Sequence, residues 1–222
     1  MERKIIQTAD GSHTIELPGL GATYHSIHGA IQESKHVFIE AGLNLFLCNV
    51  GSQPLNIFEM GLGTGLNAFL TAIEAIKHKI HIHYTSVEQF PLSYLDLEVL
   101  NYPHYLQNHQ VFENIHESSW EQHIQVSEFF SLRKVKTNFQ EYDANEKFHL
   151  IYYDAFAPNT QPELWTKEIF EKLLNMLQPN GVLVTYCSKG IVRRAMMAAG
   201  FTVKKLPGPP GKREILKAVK SG

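Results

Sequence analysis

The run Leu55-Asn-Ile-Phe-Glu59-Met-Gly61-Leu-Gly63-Thr64-Gly65-Leu-Asn67 decides how this chain folds. Its first five residues read as a short apolar strand. The three glycines make a turn whose backbone can approach a ligand with no Cβ in the way. Leu66, Phe69, Leu70, Ile73 and Ile76 then recur at helical spacing, which predicts a helix over 66–77. Strand, glycine turn and helix open a sheet whose ligands bind beyond the carboxyl ends of its strands. A dinucleotide-binding G-x-G-x-x-G turn needs its third glycine at position 66, which is Leu66; here it comes one residue early, at Gly65.

Strand-like and helix-like segments alternate downstream. Residues 80–88 read as a second strand, and Pro91 opens a helix through about Leu100. Residues 101–126 are less regular and rich in His and aromatics. Residues 129–138 read as a third strand and 148–154 as a fourth, apolar enough to be buried on both faces. A helix over 162–177, a strand over 181–187 and a helix over 191–199 follow. Two strands, 201–206 and 214–219, close the chain, joined by Pro207-Gly-Pro-Pro-Gly211. So short a link permits only antiparallel pairing, whereas the helical crossovers imply parallel pairing. The pattern is α/β. It resembles the class I S-adenosylmethionine methyltransferase fold, a Rossmann-like seven-stranded sheet of order 3-2-1-4-5-7-6. Upstream, Thr14-Ile-Glu-Leu17, Pro18-Gly-Leu-Gly21 and Ala22-Thr-Tyr24 read as a hairpin, and Ile31, Val37, Phe38 and Leu45 as helix-like spacing over 29–47. The expected organisation is an N-terminal extension, 1–50, packed on a methyltransferase domain, 51–222.

The composition suits an ordinary globular chain of 222 residues, with 44% apolar and 19% charged residues. No apolar run approaches the roughly 18 residues of a membrane span, and residues 1–10 lack the apolar stretch of a signal peptide. Cys48 and Cys187 make neither a disulfide framework nor a zinc cluster, so a reducing cytoplasm is expected. The net charge of −2 hides an asymmetry: residues 186–222 hold nine basic residues against one acid, leaving eleven bases and twenty-one acids before them. A basic end on an acidic body suits a polyanionic partner, although such runs are usually plain solvated surface.

The chemistry follows from what the strands end on. The G-x-G-x-G spacing resembles the methyltransferase loop that wraps the methionine part of its cofactor. Glu59 ends the first strand, able to meet an amine, and Glu88 ends the second, where a carboxylate can accept both ribose hydroxyls. The fourth strand ends in Asp154-Ala-Phe156-Ala-Pro158, beside the expected reactive methyl. An amine acceptor must be unprotonated to attack, and a carboxylate here can orient it and accept a proton. Phe156 can pack on a planar base, and the segment looks like a variant of the Asp/Asn-Pro-Pro-aromatic motif of amine methyltransferases. Trp165, Phe170 and Leu174 read as core or as support for this loop.

Several ordered segments carry a more specific resemblance: Gly61-Leu-Gly-Thr-Gly-Leu-Asn67, Val87-Glu-Gln-Phe-Pro-Leu92, Asp154-Ala-Phe-Ala-Pro158, Pro162-Glu-Leu-Trp-Thr166, Val192-Arg-Arg194 with Ala199-Gly-Phe201, and Gly211-Lys-Arg-Glu214. Tyr24-His-Ser26 and Glu33-Ser-Lys-His-Val-Phe38 join them. Together they resemble the methyltransferase domain of the bacterial tRNA wobble-uridine enzymes that make 5-methylaminomethyl-2-thiouridine, in a stand-alone form. The resemblance implies S-adenosyl-L-methionine as cofactor, held by Glu59, Gly61, Gly63, Thr64, Gly65, Asn67 and Glu88, with Asp154 as the catalytic residue facing the substrate amine. The family commonly has Gly-Asp after the third strand, against the cofactor's adenine; here the nearest match is Thr137-Asn138, and Asn138 can accept through its carbonyl oxygen.

The resemblance also implies tRNA as partner. Phe156 and Pro158 would meet the base, and Arg193, Arg194, Lys212 and Arg213 the phosphates of the anticodon arm. No membrane partner and no metal are expected: His25-x-x-His28 and His81-x-His83 lack the further ligands that would complete a site. Two alternatives stay open, methylation of a small-molecule amine and, less favoured by the basic C-terminus, aminopropyl transfer.

Overall fold

The computed structural model describes residues 2–47 and 53–222. Three antiparallel strands open the chain, β1 (Lys4–Gln7), β2 (His13–Leu17) and β3 (Ala22–Thr23). Helix α1 (Ala30–Ser34) runs into a π-helical stretch (Lys35–Leu43) and then α2 (Asn44–Leu47). The main body follows as β4 (Leu55–Met60), α3 (Leu66–His78), β5 (Ile82–Val87), α4 (Tyr94–Leu97), α5 (Tyr102–Leu106), α6 (His109–Glu117), β6 (His123–Ser127) and β7 (Phe130–Val135). It ends with β8 (Phe148–Tyr153), α7 (Lys167–Met176), β9 (Leu177–Thr185), α8 (Gly190–Ala198), β10 (Thr202–Pro207) and β11 (Glu214–Val219).

The main sheet has the order β10-β11-β9-β8-β4-β5-β7-β6. Pairing is parallel among β7, β5, β4, β8 and β9, while β11 is antiparallel to both β9 and β10. The sheet therefore has eight strands and not the seven expected. The extra one is β6, antiparallel to β7 at the edge. It was hidden because only Val126 along it is buried, so it shows no clean alternation. The rest of that less regular segment contains α5 and α6. Helix α6 buries Val111, Phe112 and Ile115 and is capped by Asn108, whose side chain accepts from Val111 N at 3.3 Å.

Other boundaries shift for local reasons. The helix expected from Pro91 starts at Tyr94, because Ser93 and Asp96 form a capping box. A 3-10 turn, Pro162–Trp165, precedes α7, which Thr166 caps through Ile169 N at 3.4 Å. The N-terminal hairpin gains β1 as a third strand. The expected extension boundary at 50/51, with Cys48, lies outside the described residues.

The sheet is buried on both faces, which explains the unbroken apolar run of β8. Leu150 and Tyr152 point into one core with Ile57, Phe69, Val184 and the π-helical Val37 and Phe38. Ile151 and Tyr153 point into the other with Phe58, Ile169, Phe170 and Val192. Trp165 and Phe170 are core residues, with Leu174 packed against them. The N-terminal segment thus shares the main core: a Cβ on Gly42 would sit 3.1 Å from Val184. No helix among the described residues is long and apolar enough to cross a membrane.

Candidate active site

A cavity of about 1110 Å³ opens over the carboxyl ends of β4, β5, β7 and β8. It exceeds the roughly 300–1,000 Å³ of an ordinary small-molecule site. Gly61, Gly63, Glu88, Asn138, Asp154, Phe156 and Lys212 line it. Thr64, Asn67 and Glu59 are buried just behind it, and Gly65 packs on His116 there. Pro158, Arg193, Arg194 and Arg213 do not line it.

One side of the cavity is made by the glycine turn. Gly61 N donates to Val87 O at 2.9 Å and Asp154 N donates to Met60 O at 3.2 Å, so three strand ends are tied together. Gly61 has φ 89°, and a Cβ on it would lie 3.3 Å from the Asp154 carbonyl oxygen. Gly65 has φ 73°, and its Cβ would lie 2.7 Å from the His116 ring. Both positions need glycine. Glu88 is fixed by two backbone donors, Gly63 N at 3.0 Å and Phe90 N at 2.8 Å. Its remaining lone pairs face the cavity. Glu59 is fully buried and accepts from Ser86 Oγ at 2.8 Å, yet its Oε1 has no hydrogen-bond partner. Burial pushes its pKa up to about 8. Asn138 borders the cavity, but its Oδ1 already accepts from Gln140 N at 3.0 Å.

The other side is made by the loop after β8. Asp154 accepts from Asn67 Nδ2 at 2.8 Å. Burial, and then the carboxylates of Glu33 and Glu59, hold its pKa well above the usual carboxylate range; Asn67 and Lys212 pull the other way. The loop is pinned at several points. Tyr186 donates its hydroxyl to Ala155 O at 2.9 Å, Trp165 Nε1 donates to Phe156 O at 2.8 Å, and Phe156 N donates to Gln161 Oε1 at 3.2 Å. Phe156 meets Tyr24 edge-on, with ring centroids 5.1 Å apart.

The N-terminal segment supplies the remaining wall, and sequence reasoning missed its part in the site. Tyr24, His25, Ser26 and Glu33 all line the cavity. His25 Nε2 shares a hydrogen bond with Thr64 Oγ1 at 2.6 Å, joining the first sheet to the glycine turn. Burial lowers the His25 pKa to about 4, so the ring is neutral. Ser26 N donates to Glu33 at 2.9 Å. The signal was present as an acid, Glu33, buried in a helical stretch with Ile31, Ser34 and Val37. Lys212 turns inward to an ion pair with Glu33 and lies 4.1 Å from the Tyr186 ring centroid. Arg194 and Arg213 are exposed and Arg193 is half-buried. Among the described residues no group of three or more His, Cys, Asp or Glu side chains could hold a metal ion.

A family model described as S-adenosyl-L-methionine-dependent methyltransferase matches residues 96–221, more than half of the chain. The chain belongs to that methyltransferase family. This methyltransferase is 32% identical over 213 residues to the tRNA 5-methylaminomethyl-2-thiouridine biosynthesis bifunctional protein MnmC of Pseudomonas fluorescens (strain Pf0-1), covering 87% of this chain and 31% of that protein. The methyltransferase chain thus spans about a third of that relative's length. It superposes on the crystal structure of MNMC2 from Aquifex aeolicus with a TM-score of 0.82 at 26% identity, covering 100% of this chain and 72% of the other. These relatives and the motif resemblance point to the same family. Spermidine synthase from Thermotoga maritima, at TM-score 0.62 and 16% identity, covers 99% of this chain and 69% of its own and shares the fold alone.

Proposed function

We propose that this methyltransferase transfers a methyl group to the amine of 5-aminomethyl-2-thiouridine at the wobble position of tRNA, giving 5-methylaminomethyl-2-thiouridine. The observation that carries the reading is Asp154: a carboxylate with a raised pKa, fixed by Asn67, on the cavity wall beside the glycine turn. The similarity over most of the chain to a protein named for 5-methylaminomethyl-2-thiouridine biosynthesis supports the substrate. A tRNA substrate makes the cytoplasm the expected compartment.

S-adenosyl-L-methionine, when bound, supplies a methyl group already activated as a sulfonium. The residues on the first side of the cavity fit it. Glu59 Oε1 and Asn67 Oδ1 are buried acceptors without partners, suited to an amino group. Gly61 and Gly63 leave a cradle with no Cβ, and Glu88 keeps acceptor capacity for ribose hydroxyls. Thr64 and Gly65 shape the turn from behind. Asn138 is assigned to the adenine end, where its Nδ2 donates to Gln140 Oε1 at 3.2 Å.

Asp154 does the protein's part of the chemistry. A carboxylate whose pKa is raised takes up a proton more readily, so it can draw one from an incoming ammonium and orient the freed lone pair. The pinned backbone of 154–156 keeps that geometry without reorganisation. Phe156, already edge-on to Tyr24, is placed to pack on the base, and Pro158 shapes the loop behind it. Arg193, Arg194 and Arg213 lie outside the cavity and are assigned to tRNA phosphates.

The test is incubation with methyl-labelled S-adenosyl-L-methionine and tRNA carrying 5-aminomethyl-2-thiouridine, followed by nucleoside analysis. Label in the wobble nucleoside is expected. Label absent there, but present on a small amine, would replace this substrate.

A further inference from the structure

The acceptor wall carries a second charged group besides Asp154. Glu33 is 7% exposed, ion-paired with Lys212 through one carboxylate oxygen and bonded by Ser26 N at 2.9 Å through the other. The Lys212 ammonium also sits 4.1 Å from the centroid of the Tyr186 ring. Tyr186 in turn donates its hydroxyl to Ala155 O at 2.9 Å, one residue past Asp154. Glu33, Lys212, Tyr186 and Asp154 all line the one cavity. A buried ion pair adds little stability for its desolvation cost, so its location beside a reacting carboxylate points to a role there.

We propose that Glu33 and Lys212 are positioning residues for the acceptor step: a fixed pair of opposite charges that decides the acidity at which Asp154 can take the substrate's proton. This rests on the amine substrate proposed above. The groups whose charge bears on Asp154 are Glu33 from α1, Glu59 from β4, Tyr84 from β5, Tyr186 after β9 and Lys212 from the loop before β11, with Asn67 bonded to it from α3. Lys212 is the cation among them. The ammonium gives one proton to Asp154. The freed nitrogen lone pair would then form the N–C bond as the C–S pair returns to sulfur; the product leaves as a secondary ammonium, and Asp154 returns its proton to solvent.

The signs are opposite for the two partners. Without the Lys212 charge, Asp154 faces acids alone and holds its proton more tightly, so its carboxylate form needs a higher pH. Without the Glu33 charge, Lys212 is unopposed and the carboxylate form persists to lower pH. Two readouts test this: carbon-13 NMR titration of the Asp154 carboxyl in protein free of tRNA, assigned by difference from Asp154→Asn, and the pH profile of kcat/KM for methyl transfer.

Lys212→Met should move both upward by about one pH unit, and Glu33→Gln both downward by a similar amount. Lys212→Arg should restore the wild-type position. The salt dependence of tRNA affinity should stay at the wild-type slope in Lys212→Met. Shifts of one sign for both variants, no shift, or a salt slope reduced by about one would overturn the proposal and return Lys212 to a strut or a phosphate contact. Should Glu33→Gln fail to fold, the upward shift in Lys212→Met and its reversal in Lys212→Arg decide the matter. Because the NMR titration uses no tRNA, an inactive wild type would count against the substrate and leave this test intact.

Discussion

The two sides of the cavity are built in different ways. The side assigned above to the cofactor is local: residues 59–67 form one strand end, turn and helix start, and Glu88 joins through Gly63 N. Its glycines clear the space, and the acceptors of Glu59, Asn67 and Glu88 lie on or beside that one run. The acceptor side is assembled from residues 24–33, 154–156, 186 and 212, which meet only in the fold, and it works through side chains. A local site is set by spacing, whereas an assembled one is set by packing, so the two should fail differently when disturbed.

The largest effect belongs to the acceptor side. Asp154→Ala should lower kcat by about 10²–10⁴-fold, the range of general acid–base catalysis, while calorimetry finds cofactor affinity within a few-fold of wild type. Comparable losses of both would erase the distinction between the sides.

The junction between them comes next. The His25 pKa is depressed to about 4 by burial, below its unfolded value of 6.5. The unfolded chain therefore binds the proton first as pH falls, and the stability from neutral His25 is complete above 6.5 and lost on acidification toward 4. Between pH 7 and pH 5 the cost is roughly 2 kcal/mol. Glu59, with its raised pKa, acts in the opposite sense, and buried His116, lowered to about 3, in the same sense. Denaturant melts of wild type and His25→Gln at the two pH values isolate the His25 share; identical pH dependence would show that burial of His25 carries no such linkage.

The cofactor side alone is probed by Gly65→Ala. A left-handed alanine costs about 1–2 kcal/mol, and His116 must also yield. Cofactor affinity should weaken about tenfold with the titration of Asp154 unmoved. The smallest effect lies outside both sides: Arg213→Glu should leave cofactor binding unchanged and reduce the salt slope of tRNA affinity by about 0.9 per lost contact. A slope equal to wild type would remove Arg213 from the phosphate contacts.

This contrast also explains what was legible in the sequence. The glycine turn, Glu88 and Asp154 could be read because each follows a strand directly, and the strands announce themselves by apolar runs. The reversed β11 followed from a Pro/Gly link too short to hold a helix. Edge strand β6 escaped because it buries one side chain and shows no period. The ion pair of Lys212 could not be read, because a lysine in a basic tail carries no sign of the buried Glu33 that it meets. Tyr24 and His25 sat in a segment read as an accessory, since no local pattern says that a hairpin will stand over a distant loop.

Strand β11 is the last of the described strands, yet it lies inside the sheet, between β9 and β10. During synthesis on a ribosome, β9 and β10 emerge first and have no partner in common until β11 slides between them. Lys212, just before β11, reaches Glu33 in the same event. The acceptor wall and the sheet are thus completed together, once β11 is in place. A chain cut short before Lys212 would still contain the glycine-turn sequence and would lack both the Lys212 wall of the cavity and the strand that joins β9 to β10.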